Sequence, residues 1–242
     1  MFAAAGFCLA VVSVSAQATD IVASVANFSQ GDLSGWEEKS FKKHSQYDFV
    51  SALSISEKPI SEKPISEKSI SENSESNTGV AEQEKVLRAT TQGQASGLFK
   101  EVAIDLNKTP YLNWSWQVNN LYKGNDERSK QGDDYPARVY VVVSGGLFFW
   151  KTKAINYVWS SNQPVGSEWP NAYTGNAKMI AVRAGDAQTG QWVSERRNVR
   201  EDLRRLFGDD VTQIDAVAVM VDGDNTGQSA TSYFGNIFFS EK

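Results

Sequence analysis

The alternation of apolar and polar side chains is clearest at Tyr111–Val118. There Leu112, Trp114, Trp116 and Val118 fall on one face and Tyr111, Asn113, Ser115 and Gln117 on the other. A period of two predicts a half-buried strand, because successive side chains of an extended chain point to opposite sides. The two tryptophans on the apolar face read most simply as core. A different pattern runs from Arg138 to Val143, whose near-continuous β-branching predicts a central strand buried on both faces. Further strands are predicted at 41–50, 85–91, 93–100, 102–106, 147–159, 179–183, 191–195, 214–221 and 232–239, punctuated by turns such as Gly145-Gly146 and Gly185-Asp186. One helix is predicted, from an N-cap at Asn198 to Phe207 before Gly208. Val199, Leu203 and Leu206 or Phe207 form its stripe, and Glu201 and Asp202 sit in the first turn, where the helix dipole favours them. The expected fold is therefore all-β: an antiparallel two-sheet β-sandwich of jelly-roll type, one domain over residues 19–242, with the helix packed on one side.

Two stretches depart from this pattern. Residues 54–77 repeat a five-residue unit, Ile-Ser-Glu-Lys-Pro, with decaying fidelity. A period of five suits neither strand nor helix, the prolines remove donors, and Ser, Glu and Lys bury too little surface to offset ordering entropy. Residues 54–78 are expected to be a disordered insertion within the domain. The first eighteen residues carry no charge and end in Ala16-Gln17-Ala18, a small-x-small pattern that predicts a signal peptide at 1–18 and hence a periplasmic or secreted protein. That apolar run is too short to span a bilayer, so no transmembrane anchor is expected. Cys8, the one cysteine, lies inside it, and a mature chain cut after Ala18 would have neither disulfides nor thiolate chemistry.

Composition narrows the function. Seven Trp, eight Tyr and twelve Phe supply a large core, and the net charge of −5 argues against nucleic acid. The one basic cluster, Arg196, Arg197, Arg200, Arg204 and Arg205, is interleaved with Glu195, Glu201 and Asp202 and reads as a solvated helix. His44, the single histidine, lies among polar neighbours, which leaves little room for histidine-dependent hydrolases. Nucleophile-elbow, phosphate-loop, dinucleotide and zinc-protease motifs are absent, and no cofactor is expected.

Candidate chemistry gathers at 129–143, where an acidic turn carrying Asp133 and Asp134 precedes Arg138 and the predicted central strand. Three readings stay open: calcium-type oxygen ligands, an acid/base pair with Glu127 or Glu195, or a turn in which Asp133 pairs with Arg138. Asn156, Trp159, Trp169 and Tyr173 form a second group. Sugars offer apolar C–H faces rimmed by hydroxyls, so an aromatic platform beside amides, carboxylates and arginine is what a carbohydrate cleft needs. The expected ligand-binding set is Asp133, Asp134, Arg138, Asn156, Trp159, Trp169 and Arg196, with no metal. The third group, Asp222, Asp224 and Asn225, reads as a side-chain-stabilised turn joining two strands, with calcium binding as the alternative.

The blocks Gly132-Asp133-Asp134-Tyr135-Pro136-Ala137-Arg138 and Asn156-Tyr157-Val158-Trp159-Ser160-Ser161 resemble the DUF3047 family of exported bacterial proteins. Supporting stretches are Leu87-Arg88-Ala89, Trp114-Ser115-Trp116, Asp224-Asn225-Thr226-Gly227 and Tyr233-Phe234-Gly235-Asn236-Ile237. The resemblance carries no activity. Its closing strand is also similar to that of galactose-binding-like sandwiches and carbohydrate-binding modules, which often have Asp where this chain has Asn236. Together these features lead to two expectations: a non-catalytic exported protein that binds carbohydrate or another envelope component, or alternatively a carboxylate-dependent hydrolase or lyase acting on a polysaccharide.

Overall fold

The computed structural model describes residues 22–56, 84–147 and 151–241. The expected signal peptide at 1–18 and all but the first three residues of the 54–78 insertion lie outside the described residues. Among the described residues, thirteen strands form two sheets. The first sheet runs β11 (Val193–Asn198), β6 (Tyr111–Val118), β13 (Ser229–Ser240), β4 (Lys85–Gln92) and β3 (Gln46–Ser51), and β1 (Val22–Ala26) also pairs with β13. The second runs β2 (Trp36–Lys42), β5 (Ala95–Asp105), β12 (Gln213–Asp222), β7 (Ala137–Val143), β8 (Lys153–Ser160), β10 (Ala177–Ala184) and β9 (Glu168–Pro170). The described pairings are antiparallel except one, β8 with β10. A parallel neighbour needs a crossover, and here the stretch from Ser161 to Asn176 supplies it, folding back through the short strand β9.

The alternation on β6 is realised as expected. Leu112, Trp114, Trp116 and Val118 are all buried and meet the inward residues of β8 across the sandwich. Trp114 lies 5.4 Å from Tyr157 and Trp116 lies 5.8 Å from Trp159, ring centre to ring centre. These pairs fasten one sheet to the other through large apolar areas and ring–ring contact.

Strand β7 departs from its expected burial. It sits centrally, between β12 and β8, and its inward Val139 and Val141 are fully buried. Its outward side chains are Arg138, Tyr140 and Val142, and of these only Arg138 is fully buried. β-Branching therefore reported one buried face and one partly covered face rather than two apolar ones.

The helix falls where the sequence places it, at α2 (Val199–Phe207), after α1 (Leu53–Ser56). The Asn198 side chain accepts from the Glu201 N–H, and Gly208 ends the helix in the left-handed conformation. Val199 and Leu203 dock on the core, and Asp202, also buried, accepts from Tyr157 and from Arg197.

Candidate functional site

The outer face of the second sheet carries a pocket of about 410 Å³. Its floor follows from strand parity. Arg138 faces Met220 across one ladder, and Tyr140 faces Asn156 on one side and Ala218 on the other. Ala95, Ala154 and Ala177 are short enough to leave depth between these larger groups. The walls come from loops: Asp133 before β7, Asn171 and Tyr173 between β9 and β10, Asp224 and Asn225 after β12, and Phe41 at the end of β2. Phe41 and Tyr173 are 65% and 56% exposed, and they are the two aromatics among the large exposed hydrophobic side chains of the described residues.

Arg138 organises the charge. Its Nε donates to Asp222 at 2.8 Å and a second nitrogen also reaches the Asp222 carboxylate. The same guanidinium donates to the Asp133 carbonyl at 2.6 Å and lies 3.7 Å from the Asp133 carboxylate. Its plane covers the Tyr135 ring at 4.3 Å. Burial opposes the arginine's charge, but Asp222, Tyr140 and Asp133 outweigh it and hold the guanidinium protonated. Burial pushes the Asp222 carboxyl up to about 7; Arg138 pulls it back, while Asp134 and Asp133 repel its charge.

Asp134 has a different task. Its two oxygens accept the backbone N–H groups of Asn225 at 3.2 Å and Thr226 at 2.6 Å, so it ties the loop before β7 to the turn after β12. Two stretches that read as separate clusters in the sequence thus form one unit. Asp134, Asp222 and Asp224 bring oxygens within 4.8 Å of one another, which is close enough to share a cation. Their present partners are protein groups: Arg138 pairs with Asp222, Lys42 with Asp224, and Asp134 is taken up by backbone amides.

Asn156 stands out on the floor. It is 1% exposed, and its Nδ2 has no hydrogen-bond partner among the described residues. A buried amide donor left unpaired costs about 1–3 kcal/mol, so its persistence at a pocket calls for a reason.

Of the expected binding residues, Asp133, Arg138 and Asn156 come together in this pocket. The other four do not line it. Asp134 is buried behind it as the turn's anchor. Trp159 is three residues from Asn156, an odd step along a strand, so it points to the opposite face; it is fully buried between the sheets and donates to the Gly185 carbonyl at 3.2 Å. Trp169 packs with Tyr135, Val158, Met179 and Ala181 in a small separate cluster. Arg196 is on the other sheet, stacked 4.0 Å over Tyr111 beside a groove of about 630 Å³. The expected acid/base partners also lie apart. Glu127 is fully buried and binds the Ser160 hydroxyl and the Ser161 N–H, and Glu195 is paired with Arg183 and the Trp116 indole. Tyr140, Met220 and Asp222 were missed as pocket residues. Tyr140 was recoverable, since parity puts it on the face of Arg138.

A model of the family described as "Protein of unknown function (DUF3047)" matches residues 61–238. No curated protein matches the sequence. Among solved structures, TmCBM61 in complex with β-1,4-galactotriose aligns at 11% identity and TM-score 0.40, covering 89% of this chain and 94% of that one. The family 11 carbohydrate-binding module from Clostridium thermocellum, in complex with a mixed-linked β-1,3-1,4 tetrasaccharide, aligns at 8% identity and TM-score 0.41, covering 92% and 96%. The xyloglucanase domain of NopAA from Sinorhizobium fredii, in complex with cellobiose, aligns at 9% identity and TM-score 0.41, covering 86% and 95%. Sandwich outlines host unrelated activities, so function has to be argued from the pocket.

Proposed function

Since this chain belongs to the DUF3047 family, whose description names no activity, its role rests on its own chemistry, and we propose that it is a non-catalytic carbohydrate-binding protein that uses the pocket on the β12–β7–β8 face. The observation that carries the reading is Asn156, a buried amide donor without a partner on the floor of a pocket rimmed by exposed aromatics. A sugar hydroxyl or ring oxygen would accept from Nδ2 once the amide turns to the cavity, while Phe41 or Tyr173 offers a flat apolar surface to C–H groups. Asn171, Asn225, Asp133 and Asp224 supply the polar rim.

The carboxylates support binding over turnover. Asp222 and Asp133 fold onto Arg138, Asp134 onto backbone amides, Glu127 onto serine and Glu195 onto Arg183. Glycoside chemistry wants two carboxyl groups facing each other across the scissile bond, and these groups face their own partners instead. The reading includes export, as the uncharged leader at 1–18 leads one to expect; N-terminal sequencing of the protein recovered from cell fractions tests that part.

The binding test is isothermal calorimetry of the full chain against a panel of polysaccharide and peptidoglycan oligomers. None of the described tryptophans lines the pocket, so heat is a better signal than indole fluorescence. Saturable binding that is lost in Asn156→Leu is expected. A panel without a single binder, or binding indifferent to Asn156→Leu, would refute the reading.

A further inference from the structure

We propose that the preferred unit of the bound glycan is an amine-bearing hexosamine, with its amino group free and protonated; this deepens the carbohydrate reading and rests on it. Three carboxylates line the cavity, those of Asp133, Asp222 and Asp224, against one cation, Arg138. Asp134 adds a fourth close behind, with an oxygen within 4.8 Å of both Asp222 and Asp224. At about pH 6 Asp222 is largely protonated, so Arg138 is matched by Asp133 and the carboxylates of Asp224 and Asp134 stand against Lys42 alone; negative charge is left over on the side that meets the ligand.

That excess sets a preference by sign. A uronic acid or sulfated sugar would bring like charge into a partly desolvated space, where repulsion is stronger than in water. An ammonium group is attracted there, and it carries three donors and no acceptor, matching carboxylates that only accept. Asp224 is the one within reach. Its side chain is 18% exposed, against 6% for Asp133 and 3% for Asp222, and its cationic neighbour Lys42, which donates to the Asp224 carbonyl at 2.8 Å, lies 3.9 Å from the carboxylate on a side chain that is itself 55% exposed. Tyr140 and Phe41 line the same cavity and add to the preference, because a ring's negative face attracts cations; Tyr173 already has Lys130 5.4 Å over its ring. The hydroxyls and ring oxygen of the same sugar provide the acceptor that Asn156 lacks. N-acetylation would remove the charge while leaving the rest of the ring.

The test compares four hexamers by calorimetry at about pH 6: β-1,4-linked glucosamine, N-acetylglucosamine and glucose, and α-1,4-linked galacturonate. Glucosamine is expected to bind about tenfold or more tighter than either neutral oligomer, with galacturonate weakest. Asp224→Asn should remove the preference. Glu101→Gln should not, since Glu101 is exposed and lines a separate groove. Equal affinity for the glucosamine and neutral oligomers, or tightest binding of galacturonate, overturns the amine preference and leaves the glycan reading standing. Glucosamine binding that survives both Asp224→Asn and Asn156→Leu is only the attraction of a polycation to a chain of net charge −5, and also overturns it. Silence from all four, after a silent panel, overturns the glycan reading itself.

Discussion

Asp202 and Asp222 are both buried and gripped by arginine, and their settings differ in what the arginine serves. Asp202, on α2, accepts from the Tyr157 hydroxyl at 2.9 Å, from Arg197 at 3.0 and 2.7 Å and from Arg205 at 2.5 Å. One carboxylate there has two cations, both reaching solvent. Asp222, on β12, shares one fully buried arginine with Asp133 and has Asp134 close by. The first network closes a seam between helix and sheet. The second leaves acid in excess beside a cavity and an unpaired amide, which is the arrangement a ligand can complete. Burial of an ion pair is weak evidence for function in either place; the local charge balance and the leftover hydrogen-bonding capacity separate them.

The contrast is broken most sharply by deleting the arginines. Arg138→Met leaves Asp222 and Asp133 without their cation inside the protein and is expected to cost about 3–5 kcal/mol at pH 7.5. The loss should shrink at pH 5, where Asp222 can take a proton. Arg197→Met leaves Arg205 on Asp202 and should cost about 1–2 kcal/mol. Urea unfolding at both pH values measures this, and equal losses would erase the distinction.

Acidity gives the next effect. The folded-state value of Asp222 lies at about 7, above the ordinary 3.8. A group raised in this way stabilises the fold fully below its unfolded value, and that contribution is lost as pH rises through the folded one. Glu127, Glu195 and Asp224 are also raised, chiefly by burial, and act with the same sign. Stability should therefore fall as pH rises from 5 to 7.5, by on the order of 1–3 kcal/mol, read as a few degrees in Tm. Asp222→Asn should flatten the slope. A Tm that climbs across this window contradicts the charge balance drawn here.

The sequence reveals these regions unequally. The inward face of β6, the cap of α2 and the turn chemistry are local, so period and residue type expose them. The pairing of Arg138 with Asp222 spans 84 positions and depends on β12 lying beside β7, a strand order that no local pattern encodes. Asn156 and Trp159 were grouped because they are near in sequence, yet the period of a strand sends them to opposite faces. Arg196 lies apart from the pocket for another reason: its strand belongs to the other sheet. Asp133, Arg138 and Asn156 share one pocket because a loop and two adjacent strands present them on one outward face.

A milder change probes the sealed network. Asp202→Asn keeps an acceptor for the buried Tyr157 hydroxyl, while Arg197 and Arg205, with side chains 33% and 44% exposed, can turn towards water. A cost of about 1–2 kcal/mol is expected, with glycan affinity unchanged. Loss of binding in this variant would mean that the two networks are coupled through the sheet.

The smallest expected change in stability is the most informative. Asn156→Leu replaces an amide of similar size at a position where Nδ2 has no partner. If the amide were structural, its removal would cost like any lost hydrogen bond, about 1 kcal/mol or more. If it is held ready for a ligand, an apolar side chain in its place removes an unmet donor, and stability should stay within about 0.5 kcal/mol or rise. Binding to the pocket should vanish at the same time. Proteins commonly gain stability when a functional site is filled with apolar atoms, because the site was kept polar for its ligand at the expense of the fold. Urea unfolding of Asn156→Leu beside its calorimetric titration reads both quantities. A destabilised variant that still binds would move Asn156 to the structural side of the comparison and leave the pocket without its central donor.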